Sequence, residues 1–148
     1  MSEKQKLLIV DDSELNRDIL KEILGSRYDY MEAENGTQAI QILEVHPEID
    51  LMLLDINMPQ MNGFQVLEHM RELQWIDEVP VVMISSEESV EIMRKAYDLG
   101  ITDYISRPFD AVIVKKRVQN TLGLYANQKR LINVVVDQVR SEERRVGK

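Results

Sequence analysis

The apolar positions of this chain fall into short solid runs separated by longer amphipathic stretches. Leu7–Val10 is four aliphatic residues in succession, the pattern of a strand buried on both faces of a parallel sheet. Ser13 then stands as an N-cap. Leu15, Ile19, Ile23 and Leu24 recur at helical spacing from Glu14 to Leu24, and Gly25 supplies a stop. The alternation repeats. Residues 28–33 predict a second strand, polar enough for a sheet edge, and residues 36–45 a helix with Ala39, Ile40 and Leu43 inward. Residues 51–54 predict a third strand, and residues 64–73 a helix with Phe64, Leu67 and Met70 inward. A fourth strand is expected over 79–84, then a helix over 87–99 stopped by Gly100. A fifth strand over 102–106 is stopped by Pro108, and a last helix covers 110–122.

Five strands and five helices in strict alternation specify an α/β fold. Its parallel sheet is covered on both faces through right-handed crossovers. In such sheets ligands bind beyond the carboxyl ends of the strands, at the point where the strand order reverses. The polar residues that end the apolar runs all fall there: Asp11 and Asp12 after the first strand, Asp55 after the third, Ser85 after the fourth and Arg107 after the fifth.

Composition narrows what such an edge can do. An apolar content of 44% and a charged content of 30% over 148 residues fit one globular domain. No apolar stretch approaches the ~20 residues of a membrane span, and the first six residues lack the apolar core of a signal peptide. Without cysteine, disulfides, thiolate metal sites and cysteine nucleophiles are excluded. A cytoplasmic location is the expectation. Residues 1–114 carry 9 Lys or Arg against 23 Asp or Glu, and residues 115–148 carry 9 against 3, so a body of −14 precedes a tail of +6. An acidic body is a poor partner for nucleic acid. The basic tail reads as a solvated helix face rather than as a nucleic-acid contact.

Three carboxylates within a few ångströms need a counter-charge to stay ionised. A hard divalent cation bound by oxygens meets that need, and Mg2+ suits it, with Asp12 and Asp55 as direct ligands, Asp11 through water and the Asn57 carbonyl as a further ligand. Zinc is disfavoured, since the only nitrogen donors are His46 and His69, both in helical contexts. A metal-bound carboxylate can itself be a nucleophile toward phosphorus. A hydroxyl and a fixed cation complete such a site, and Ser85 and Arg107 supply both. Taken singly, Asp11-Asp12 reads as a helix cap, Asp55 as a loop start, Ser85-Ser86 as another cap and Arg107-Pro108 as a surface turn. The conjunction at four strand ends favours the site.

Four segments resemble the receiver domain of two-component response regulators: Ile9-Val10-Asp11-Asp12-Ser13, Leu53 through Gly63, Val81 through Ser86, and Asp103 through Phe109. The resemblance spans about residues 5–123. It implies a flavodoxin-like doubly wound sheet in the order 2-1-3-4-5. It also implies phosphorylation of Asp55 by a histidine kinase or phosphotransfer protein, and Mg2+ (or Mn2+) held by Asp11, Asp12, Asp55 and the Asn57 carbonyl. Ser85 matches a phosphate contact and Tyr104 an aromatic rotamer switch. Pro108 matches a cis-proline position, and Asn57 and Glu87 match positions that tune the lifetime of the aspartyl phosphate. One position departs: Arg107 stands where the family usually has Lys, and the two are not interchangeable at a tight site. Arg107 can bind phosphate bidentately, pair with Asp55, or point outward.

Residues 124–148 are expected to form a helical linker or tail. Val118, Leu122, Tyr125, Ile132, Val136 and Val139 follow three- and four-residue steps, with Lys129 in the gap, for about three heptads. Gly123 is a candidate helix end. Dimerisation through this tail or through the 87–122 face is expected. The tail resembles linkers to output domains such as HD-type cyclic-dinucleotide phosphodiesterases, and the chain reads as a stand-alone regulator or a fragment of a longer one. Two readings compete with the phospho-acceptor. One is a pseudo-receiver that only binds a partner, which Arg107 favours. The other is a Mg2+-dependent aspartyl-phosphate phosphatase, which wants an acid/base Asp where Asn57 stands.

Overall fold

The computed structural model describes residues 4–58, 61–86 and 89–125. Along the chain run β1 (Lys6–Val10), α1 (Glu14–Leu24), β2 (Asp29–Ala33), α2 (Gly36–Val45), β3 (Leu51–Asp55), α3 (Gly63–Glu72), β4 (Val81–Ser85), α4 (Val90–Asp98), β5 (Asp103–Ser106) and a final helix, α5, over 111–125. All strand pairings are parallel, and the strand order is β2-β1-β3-β4-β5. The chain thus winds outward in both directions from β1 and β3, and the reversal point lies between them.

The alternation of side chains along each strand builds two cores. Leu8 and Val10 of β1 join Met52 and Leu54 of β3 under α2, α3 and α4, where Ala39, Leu43, Val66, Leu67, Met70 and Ala96 are buried. Leu7 and Ile9 join Leu51 and Leu53 under α1 and α5, where Leu20, Leu24, Val114, Val118 and Leu122 are buried. Covering both faces is what makes the central strands uniformly apolar. Every residue of β3 and β4 is buried, whereas β2, at the edge, is half exposed.

Helix starts follow the side chains that satisfy their first amides. Ser13 accepts from the Asn16 amide, Asn35 from Gln38 and Asn62 from Gln65, the last in a reciprocal capping box. Gly25 takes a φ of 78° as α1 ends.

Several sequence expectations shift. The α1 stripe is as expected at its end, where Leu24 is buried and Ile23 packs against the core, but earlier in the helix Leu15 is 68% exposed and Arg17 and Leu20 are the buried residues. Spacing 17, 20 and 24 is as helical as 15, 19 and 23, and the buried guanidinium hides the inward face from a hydrophobicity reading. The fourth strand begins at Val81, not 79, because Pro80 has no N–H to donate to the ladder; its carbonyl accepts from Met52. β3 runs one residue further, to Asp55 itself. α4 is helical from Val90, and residues 87 and 88 lie outside the described residues. α5 does not stop at Gly123 but continues to 125, where the described residues end; the heptad positions beyond it lie outside them.

A Cβ built on Gly123 meets nothing within 4 Å. Gly123→Ala is therefore expected to stabilise the fold by about 0.5–1 kcal/mol, the helix-propensity difference, as read by urea unfolding. A loss instead would mean the helix is interrupted at this point. Among the described residues no helix is long and apolar enough to cross a membrane.

Candidate phosphoryl-acceptor and cation site

The strand register gathers the polar ends. Val10 pairs with Leu54, and Asp55 with Ile84, so Asp11 follows its strand beside the end of β3. Ser85 pairs with Ser106, and the Arg107 amide donates to the Ser85 carbonyl at 3.1 Å. Asp11, Asp12 and Asp55 each offer a carboxylate oxygen, and these lie within 4.8 Å of one another. Asp11 and Asp55 are buried at 0% and 1% exposure, while Asp12 is exposed at the rim. The cluster therefore has a closed floor and one side open to water.

Each buried acid is fixed through both of its oxygens. Oδ1 of Asp11 accepts from the Ser13 amide at 2.9 Å, and Oδ1 of Asp55 accepts from the Asn57 amide at 3.2 Å. The second oxygens share one donor. Nη2 of Arg107 lies 2.6 Å from Asp11 Oδ2 and 3.2 Å from Asp55 Oδ2. Of the three placements open to Arg107, the structure has it turned into the cluster. Burial raises the Asp55 carboxyl to about 6, the negative charge of Asp11 adds to the rise, and Arg107 and the Asn57 amide pull it back. The peptide joining Arg107 to Pro108 is cis.

A second cation supports Asp11 from behind. Arg17 is 7% exposed; its Nη1 donates to the Asp11 carbonyl at 2.6 Å and its Nε to Glu32 at 2.9 Å. Lys21 also reaches Glu32. The Asp11 amide donates to Ala33, so the Asp11 backbone is held on both sides. Sequence reasoning missed Arg17, although its 17–20–24 spacing with two buried leucines was the available signal. Gly63 lies against the Asp55 backbone, where a Cβ would meet the Asp55 carbonyl oxygen at 2.6 Å.

Of the other proposed residues, Ser85 is buried at the end of β4 and Tyr104 is half-buried in β5. The Arg117 guanidinium of α5 stacks 4.9 Å from the Tyr104 ring centroid, and its Nη1 donates to the Tyr104 carbonyl and to Asp103. Asn57 is exposed beside Asp55. Glu87 lies outside the described residues.

The family model for the response regulator receiver domain matches residues 7–119. This chain belongs to that family. The receiver is 35% identical over 120 residues to the chemotaxis protein CheY1 of Helicobacter pylori, covering 80% of this chain and 97% of that one. It is 32% identical over 127 residues to a probable cyclic di-GMP phosphodiesterase of Vibrio cholerae, covering 86% of this chain but only 29% of that longer protein. In fold it superposes on the signal receiver domain of a putative LuxO repressor protein from Vibrio parahaemolyticus with a TM-score of 0.81 at 24% identity, covering 87% of this receiver and 98% of that domain.

Proposed function

We propose that this receiver is a phosphoryl-acceptor switch: Asp55 takes a phosphoryl group from a histidine kinase or phosphotransfer protein, with a divalent cation at the acidic edge. The observation that carries this reading is the meeting of Asp11, Asp12 and Asp55 within 4.8 Å beneath Arg107. The donor set fits a hard cation such as Mg2+ or Mn2+. It is all oxygen, it has no thiolate or imidazole, and its exposed member leaves room for water ligands. Asp11, Asp12, Asp55 and the Asn57 carbonyl would hold the ion. When bound, it neutralises the oxygens of the transferring phosphoryl group.

The chain's own groups do the rest. An Asp55 oxygen forms the new P–O bond as the P–N bond of the donor phosphohistidine breaks. The electron pair of the broken bond leaves with the imidazole nitrogen, which is protonated by solvent. The Asn57 and Ser13 amides hold the two carboxylates in place, so the nucleophile is oriented before the donor arrives. Ser85 and Arg107 bind the new phosphoryl oxygens. Tyr104, under Arg117, reports the change to the surface that a partner reads. Asn57 and Glu87 tune how long the adduct survives. Turnover of a separate phosphorylated substrate is disfavoured, because the Asn57 amide cannot serve as the acid/base a phosphatase needs. The similarity to a probable cyclic di-GMP phosphodiesterase supports an output module of that kind as partner.

Incubation with Mg2+ and acetyl phosphate is expected to add one phosphoryl group at Asp55, seen by intact mass, and Asp55→Asn is expected to abolish it. Wild type and variant behaving alike would leave a receiver fold that acts by binding alone.

A further inference from the structure

We infer that a groove between the end of α1 and α5, at the amino ends of the strands and so opposite the acidic edge, is a binding site for a small organic phosphate. α1 ends in the short helical turn Gly25–Arg27, and Tyr28 leads from it into β2. α5 passes the same place, and Leu24, Arg27, Tyr28, Lys115 and Gln119 line a cleft of about 210 Å³ there. A second lobe of about 380 Å³ shares Arg27, Tyr28 and Gln119 and runs on to Leu122. The larger lobe alone falls within the roughly 300–1,000 Å³ of small-molecule sites. The site is separate from Asp55 and does not depend on its phosphorylation.

Among the described residues, two cations and no acid line this groove, although the body around it is acidic. Elsewhere cations of the body pair with acids: Lys6 with Glu48, Lys21 with Glu32 and Arg117 with Asp103. The side chains of Arg27, Lys115 and Gln119 have no such partner among the described residues. Tyr28 is only 5% exposed, and its ring meets that of Tyr30 edge-on. Its hydroxyl makes no hydrogen bond among the described residues. A buried ring thus holds an unused O–H donor in a groove whose other polar side chains are also unused. Two cations match the charge of a phosphoryl group, −1.5 to −2 at about pH 7, and the guanidinium fork can take two of its oxygens. Leu24, Leu122 and the Tyr28 ring supply apolar surface for the organic part. A nucleic-acid strand is a poor occupant, because the acidic body repels it. The chain's own basic tail carries the wrong sign.

The test is titration of the full chain with AMP, inorganic phosphate and adenosine at fixed salt and without divalent cations, followed by calorimetry and by amide resonances. AMP is expected to bind more tightly than either of its halves, and to shift the amides of Arg27, Tyr28 and Gln119. Arg27→Gln and Lys115→Gln should each weaken AMP binding on the order of tenfold, and Tyr28→Phe by a few-fold. Neither cation holds a partner in the fold, so these variants should unfold in urea as the wild type does. Lys116→Gln removes the same charge from an exposed neighbour on α5 that does not line the groove, and it should bind AMP normally. No saturable AMP binding in the millimolar range overturns the inference. So does equal affinity for phosphate or adenosine alone, which would leave half of the groove idle. An equal loss in Lys116→Gln would mean diffuse charge attraction, and shifts at the Asp12 and Asn57 amides instead would place the anion at the acidic edge; either result also overturns it.

Discussion

Asp55→Asn is expected to make the fold more stable by about 2–3 kcal/mol near neutral pH while removing the proposed phosphoryl acceptor. The Asp55 carboxyl has an ordinary value of 3.8 and about 6 in the fold, first because it is buried and then because Asp11 stands beside it. The folded chain therefore holds this proton more tightly than the unfolded chain does. The stability it contributes is full below pH 3.8 and is lost as pH rises through about 6. Above that, the ionised carboxylate costs the fold about 3 kcal/mol, at 1.36 kcal/mol for each unit of displacement. Asn has nearly the same shape and no charge, so the variant escapes that cost. Arg107 loses one partner but keeps Asp11 at 2.6 Å, which is why the lower end of the range is included. Urea unfolding at pH 7.5 and again at pH 4 checks the sign: the advantage of the variant should nearly vanish in acid. An advantage of the same size at both values would mean that Asp55 ionisation does not set it. Mg2+ should stabilise the wild type and not the variant, since a ligand stabilises only the state that binds it.

Gly63→Ala is expected to be the most damaging single-methyl change near the site. A Cβ there would lie 2.6 Å from the Asp55 carbonyl oxygen, 2.8 Å from Ile56 Cα and 3.2 Å from the Asp55 carbonyl carbon. All three are main-chain atoms, so no rotamer change relieves the contact. The Gly63 amide also donates to the Ile56 carbonyl at 2.9 Å, which ties the start of α3 to the end of β3. Relief requires the loop after Asp55 to move bodily. A loss of about 3 kcal/mol, at the upper end for overpacking, is expected, along with poor labelling by acetyl phosphate. Stability within about 1 kcal/mol of wild type, with normal labelling, would show that the loop yields easily. Gly123→Ala, in open space on α5, is the matched control for the effect of a methyl alone.

The legibility of the chain varied with how completely local pattern determined position. β3 was readable because Leu51–Asp55 is buried on both faces and its apolar run has no other use. The acidic edge was readable for the same reason, since a parallel sheet sends all its strands' carboxyl ends to one side. The phase of α1 was readable only toward its end, at Ile23 and Leu24. Its inward face includes Arg17, and no hydrophobicity pattern announces a guanidinium buried against a carbonyl. The direction of Arg107 was open because a long side chain after a strand can turn either way. What decides it is the pair of buried carboxylates from β1 and β3, brought beside it only by the assembled sheet.

The strand order has a consequence for how the molecule is assembled. β2 lies on one side of β1, and β3, β4 and β5 lie successively outward on the other, so the later part of the chain extends a single margin. Without β5, the otherwise fully buried Val81–Ser85 would be the open margin, a template on which other chains can pair. Arg107 arrives only with β5, so a nascent sheet that stalls one strand short holds Asp11 and Asp55 together with no guanidinium between them. The strand that covers β4 is thus also the one that brings the guanidinium to the acid pair.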